Sequence, residues 1–198
     1  LNTMNSALSK MDEDGLQPRF ELQKRLPNGN TTRCSEQDMA VADMESKFKQ
    51  AANEVEDLSD EQKLEWAQIQ RKEGNLIYAR KDYNEAVDVY LTCLVVKSDS
   101  TDFMDQVYLP VLNNLAQCTL QLGSYRKAAT FCTMALEEES KLTHRPEAVS
   151  KLYFRRGKAR RLSGDYKAAI DDFAKAKELL PDKSGAEHRA IQKELQLV

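Results

Sequence analysis

The chain has 198 residues, 41% of them hydrophobic and 31% charged, enough for one sizeable core with a polar tail. Its net charge of -3 and pI of about 5.6 exclude the extended basic surface on which duplex nucleic-acid binding rests. No apolar run approaches the roughly 20 residues that span a bilayer, and Leu1 to Leu16 lack the basic-then-apolar layout of a secretory signal. Residues 1–35 are polar and carry turn signals, Asp14-Gly15, Pro18 and Pro27-Asn28-Gly29-Asn30, without a sustained period, which predicts a flexible leader. Ser35 followed by Asp38 reads as an N-cap, and Met39, Ala42, Met44, Phe48 and Ala51 predict a helical extension over 36–57.

Ser59-Asp60-Glu61-Gln62 is a capping box: the Ser hydroxyl takes the amide of Gln62, whose side chain reaches back. A long helix is predicted from there to about residue 80, and a second over 84–97. The same arrangement is then written twice more. A turn residue, a Tyr two on, an Ala three further, then a Cys or aromatic and a small residue recur as Lys81, Tyr83, Ala86, Tyr90, Cys93; as Gly123, Tyr125, Ala128, Cys132, Ala135; and as Gly164, Tyr166, Ala169, Phe173, Ala176. Self-similarity at this period means stacked helical hairpins, with the small residues allowing close approach and each Tyr filling space beneath the next unit. The first helices of the pairs are predicted at about 60–80, 105–122 and 147–163, and the second at about 84–97, 125–142 and 167–179. Extra residues at 98–104 and 137–145 call for longer second helices or wider gaps. Pro181 closes the third unit, and 184–198 reads as a helix covering the last apolar face.

Cys34, Cys93, Cys118 and Cys132 have no CxxC spacing and are read as reduced, mostly buried thiols of a cytoplasmic protein. His144 and His188 stand alone, so no metal or other cofactor is expected. No nucleophile, base and orienting group occur as a set, so no catalytic residue is assigned. Charge is unevenly placed: acids dominate Glu36 to Glu65, whereas Lys151 to Lys167 holds seven Lys or Arg against the single Asp165. The ordinary reading of such a run is a solvated face.

The repeated pattern resembles tetratricopeptide arrays, and the resemblance implies that the first helices line one groove. They offer Arg71 with Asn75, then Asn114, then Lys151 with Arg155; the i,i+4 spacing places each cation pair member beside its partner. Asn75 stands six residues before Lys81, and Asn114 and Arg155 stand nine before their glycines. This set of cations and amides, with no acid among them, suits carboxylates. Tyr78, Leu115 and Phe154 are candidate apolar wall residues.

The period of about 34 residues resembles the tetratricopeptide repeat, with units at about 67–100, 109–142 and 150–183. The resemblance implies an all-α fold of three repeats stacked as a right-handed superhelix over 58–182, closed by the capping helix. The five groove positions are similar to the dicarboxylate clamp of tetratricopeptide co-chaperones, where Lys-x-x-x-Asn, Asn and Lys-x-x-x-Arg hold the Glu-Glu-Val-Asp terminus of heat-shock protein 90 or heat-shock protein 70. Arg71 stands where the family has Lys, and its planar fork is not a Lys ammonium. Asp60 to Glu65, Asn113 to Cys118 and Phe154 to Gly157 resemble the large immunophilins, whose prolyl isomerase domain the 58 mostly polar residues ahead of the repeats cannot supply. The resemblance thus implies a co-chaperone adaptor, or the repeat part of an isomerase whose catalytic domain lies outside this chain. A scaffold for an unrelated partner is the remaining reading.

Overall fold

The computed structural model describes residues 8–10, 19–98, 100–138, 146–180 and 185–198. The chain divides into two compact units, Leu1–Gln50 and Ala51–Val198.

In the first unit, β1 (Leu8–Lys10) pairs antiparallel with β2 (Arg19–Glu21), and β3 (Gln23–Arg25) with β4 (Thr31–Arg33). The second pair arises in a stretch that carries turn signals but no period. Gly29 adopts a φ of 86° and its amide donates to the Leu26 carbonyl at 2.9 Å, so Pro27 to Asn30 reverse the chain and register three residues on each side. Helix α1 (Glu36–Val55) starts at a reciprocal cap, in which the Asp38 amide donates to Ser35 Oγ and the Ser35 amide to Asp38 Oδ2. A hydrogen bond from Lys24 on β3, reinforced by Ser35, holds the Asp38 carboxyl at about 2.

In the second unit three helical hairpins follow: α2 (Asp60–Ala79) with α3 (Tyr83–Thr92), α5 (Leu109–Gln121) with α6 (Tyr125–Glu137), and α7 (Pro146–Leu162) with α8 (Tyr166–Glu178). Ahead of α5 lie a short helical turn, α4 (Thr101–Phe103), and a π-helical turn over Met104–Tyr108. The extra residues near 98–104 are therefore absorbed by a longer first helix, and α3 stops at Thr92 in a 3-10 turn instead of reaching 97. The stretch 139–145, where a longer second helix was expected, lies outside the described residues. Helix α9 (Ala186–Leu195) follows the third hairpin.

The repeat is a repeat of caps as well as of packing. Ser59 accepts from the Gln62 amide and Gln62 from the Ser59 amide, so the predicted box is complete. At the three turns Lys81, Gly123 and Gly164 take φ of 68°, 70° and 89°, the left-handed conformation that ends a helix. The amides of Ser124 and Asp165 then reach back to the carbonyls of Thr119 and Arg160 at 2.8 and 2.9 Å. Asp82 and Asp165 restart the chain by accepting from the amides of Glu85 and Ala168. Ala86, Ala128 and Ala169 are wholly buried, as are Cys93, Ala135 and Ala176. The Tyr positions diverge: Tyr83 and Tyr125 are half-buried, but Tyr166 is 53% exposed, so it does not fill space beneath a following unit.

Close approach within each hairpin follows a volume rule. A Cβ on Gly74 would lie 2.6 Å from Cε1 of Tyr90, and one on Gly157 would lie 2.8 Å from Cε1 of Phe173. At the equivalent position of the middle hairpin a fully buried Ala116 accompanies Cys132, a smaller residue than either aromatic. Gly157→Ala should therefore destabilise the protein by about 1–2 kcal/mol in urea unfolding, because the clash with the enclosed Phe173 ring outweighs the helix-propensity gain of up to about 1 kcal/mol. A net gain in stability would overturn this packing account.

All four cysteines are buried and free. Burial pushes the Cys93 and Cys132 thiols up to about 12 and Cys118 to about 11. Their protonated forms are what the fold accommodates, so the associated stability is full below the ordinary thiol value of 9.0 and is lost as pH rises towards 12.

Candidate groove for a carboxylate

Helices α2, α5 and α7 present their polar residues to a common cavity of about 610 Å³ whose lining includes Arg71, Asn75, Asn114 and Lys151. An adjoining hollow of about 230 Å³ is lined by Asn75, Tyr78, Tyr90, Asn114, Gln117 and Arg155. Asn75 and Asn114 face both, so the structure brings the five residues read from the sequence into one neighbourhood.

The amides are held in order. The Tyr90 hydroxyl, on a side chain that is 1% exposed, donates to Asn75 Oδ1 at 2.7 Å, and Asn114 Nδ2 donates to the same oxygen at 2.9 Å. With Oδ1 occupied twice, the group that Asn75 can offer a ligand is its Nδ2 donor. Burial raises the Tyr90 phenol above its ordinary range, which keeps it protonated and donating. Arg71 has its Nε buried without a hydrogen-bond partner. A buried cationic donor in that condition carries a desolvation cost that an anionic acceptor would offset.

Arg155 is half-buried and tethered. Its Nε donates to Gln117 Oε1 at 3.0 Å and an Nη1 hydrogen bond runs to Asn113 Oδ1. Burial depresses its pKa below the ordinary arginine value. Asn113 and Gln117, which hold the guanidinium, were not singled out from the sequence, although they stand four apart on α5 and flank Asn114.

Three expectations need correction. Leu115 is fully buried in the core and has no surface to offer a groove. The set is also not free of acids: Lys151 Nζ lies 3.3 Å from Glu187 Oε1 of α9, and Asp105 and Glu147 line the larger cavity. Finally, the basic run of α7 is not simply a solvated face. Arg156 and Arg160 share the buried Asp172 at 2.8 Å each, and Arg161 meets Glu194 at 2.8 Å. Tyr78 and Phe154 are half-buried, the first against Tyr83 with ring centroids 5.3 Å apart and the second against Phe173 at 6.0 Å.

Residues 150–183 match the tetratricopeptide repeat family. The chain is 33% identical over 150 residues to the peptidyl-prolyl cis-trans isomerase FKBP42 of Arabidopsis thaliana, a match covering 70% of this chain and 37% of that protein. Among solved structures, the tetratricopeptide domain of Arabidopsis OM64 is similar at 26% identity with a TM-score of 0.52, covering 68% of this chain and 97% of that one. The first tetratricopeptide domain of Spaghetti (RPAP3), solved bound to the HSP90 peptide SRMEEVD, has the same fold at 24% identity and a TM-score of 0.50, covering 66% of this chain and 90% of that one. The second unit is thus an all-α tetratricopeptide superhelix. Among the described residues no helix is long and apolar enough to cross a membrane.

Proposed function

We propose that this tetratricopeptide-repeat chain, related in its repeats to those of the large immunophilin-type isomerases, is a cytoplasmic co-chaperone adaptor that grips the acidic C-terminus of heat-shock protein 90, or of heat-shock protein 70. One observation carries the reading: Arg71, Asn75, Asn114 and Lys151, drawn from three separate helices, line one cavity. The fold supports it too, since a repeat domain of the same fold holds an HSP90 peptide.

In this mechanism the terminal main-chain carboxylate and the adjacent Asp side chain of the ligand accept from Asn75 Nδ2, Asn114, Lys151 and Arg71. Arg155, tethered to Asn113 and Gln117, supplies fixed positive charge beside the two asparagines. Each charge-assisted hydrogen bond contributes about 1.5–3 kcal/mol before ordering and desolvation costs. Several of them leave a net of about -8 kcal/mol, a micromolar and readily reversible complex. Tyr78 and Phe154 provide the apolar flank. No residue of these 198 is given a catalytic role, and no cofactor or nucleic acid enters the mechanism.

Calorimetry with the peptide Met-Glu-Glu-Val-Asp tests this. The expected result is a dissociation constant in the micromolar range that weakens at least about tenfold when the peptide terminus is amidated, since one charged acceptor is lost. Equal affinity for the two peptides would overturn the proposal. A second reading, that this chain is the repeat part of a longer peptidyl-prolyl isomerase, is favoured by the identity to FKBP42, of which the matched stretch is 37%. It is compatible with the same groove.

A further inference from the structure

Lys151 has a partner that the repeat pattern alone does not predict. Its ammonium lies 3.3 Å from Glu187 Oε1 in the first turn of α9. That helix is fixed independently of this contact. Ile191 is buried at 2% exposure, and Glu194 meets Arg161 at 2.8 Å and Lys158 at 3.9 Å. Glu187 is therefore delivered to Lys151 by a helix anchored one and two turns further on. Lys151 and Glu187 remain 49% and 51% exposed, so their pairing is of the solvent-screened kind that a competing carboxylate can displace.

We propose that Glu187 is an internal competitor for the ligand's carboxylate: it engages Lys151 in the unliganded groove, and a peptide must displace it or crowd against it to use that ammonium. The proposal rests on the reading of Lys151 as a carboxylate-binding residue. Its physical content is that two carboxylates around one ammonium repel each other, so the affinity of every ligand that uses Lys151 is reduced, while ligands held only by Arg71, Asn75 and Asn114 are unaffected. Glu187 thereby sets both the strength of binding and the kind of terminus selected. Glu147, which lines the same cavity one turn before Lys151, adds to the local negative charge but is not paired with the ammonium in the way Glu187 is.

The test is a double-mutant cycle by calorimetry at low salt, using Met-Glu-Glu-Val-Asp as probe with the unaltered chain, Glu187→Gln, Lys151→Ala and the double variant. Glu187→Gln is expected to tighten binding about threefold, and this gain should vanish in the Lys151→Ala background. Unchanged or weaker binding by Glu187→Gln, with the unaltered chain still binding, overturns the competitor and leaves the groove reading standing. A gain of equal size in the Lys151→Ala background also overturns it, because the effect would then be one of net charge. Failure of the unaltered chain to bind the peptide overturns the groove reading and the competitor together.

Discussion

A chain carrying Arg71→Ala and Lys151→Ala binds a Met-Glu-Glu-Val-Asp peptide at least about 100-fold more weakly than the unaltered chain, because two charge-assisted contacts of about 1.5–3 kcal/mol each are removed. The two side chains reach the same cavity from α2 and α7, 80 residues apart in sequence, so their joint effect tests the convergence of the helices and not one local contact. Lys151 is half exposed and its surface pair with Glu187 contributes at most about 1 kcal/mol to stability, so the fold survives its loss. Removing Arg71 takes away a buried Nε that has no hydrogen-bond partner, so no bond made by that atom is lost. Thermal unfolding should thus change little while binding collapses. Retained binding within about tenfold, measured by calorimetry, would remove these cations from the site.

Asp172→Ala is expected to cost about 3–5 kcal/mol of stability. The carboxylate has a side-chain exposure of 3% and accepts from Arg156 Nη2 and Nε and from Arg160 Nη1, a bidentate pair plus a third bond. Arg156 also donates to Thr133 Oγ1 on α6 and sits 5.2 Å from the Tyr153 ring centroid, so the network joins α6, α7 and α8. Its removal leaves two guanidinium groups facing each other with no counter-charge in a partly desolvated site. Urea unfolding is the direct measure, and calorimetry should show a melting temperature lower by roughly 10 °C. Asp172→Asn, which keeps one acceptor, should fall between the two. A loss below about 1 kcal/mol for the Ala variant would place the network among ordinary surface pairs.

The repeat was legible because it is local. Turn residues at Lys81, Gly123 and Gly164, the Ala positions that follow, and the box at Ser59 are all set by chemistry within a few residues, and each has the conformation its neighbours imply. The groove positions were read from the period together with the resemblance, and Arg71, Asn75, Asn114 and Lys151 line one cavity. What the sequence left open depends on partners from other elements. Seven cations over Lys151 to Lys167 look uncompensated beside Asp165 alone, yet Asp172, Glu187 and Glu194 arrive from α8 and α9 to meet five of them. Leu115 lies one residue from Asn114, but a rotation of about 100° along the helix separates cavity from core. Tyr166 carries the repeat signal and still faces solvent, because the helix after it is α9 and not another hairpin. The amides of Asn113 and Gln117 gain their meaning only from Arg155, 42 and 38 residues on.

The matched volumes of Gly74 with Tyr90 and Gly157 with Phe173, set against Ala116 and Cys132, bear on how such arrays can be rebuilt. A lone second helix transplanted from the outer hairpins into the middle one would drive an aromatic ring into Ala116. The reverse graft would leave a void over a glycine. The smallest portable part of this architecture is therefore the hairpin with both of its strands of helix, and shuffling that respects this boundary keeps the interior filled while leaving the groove-lining side chains free to vary.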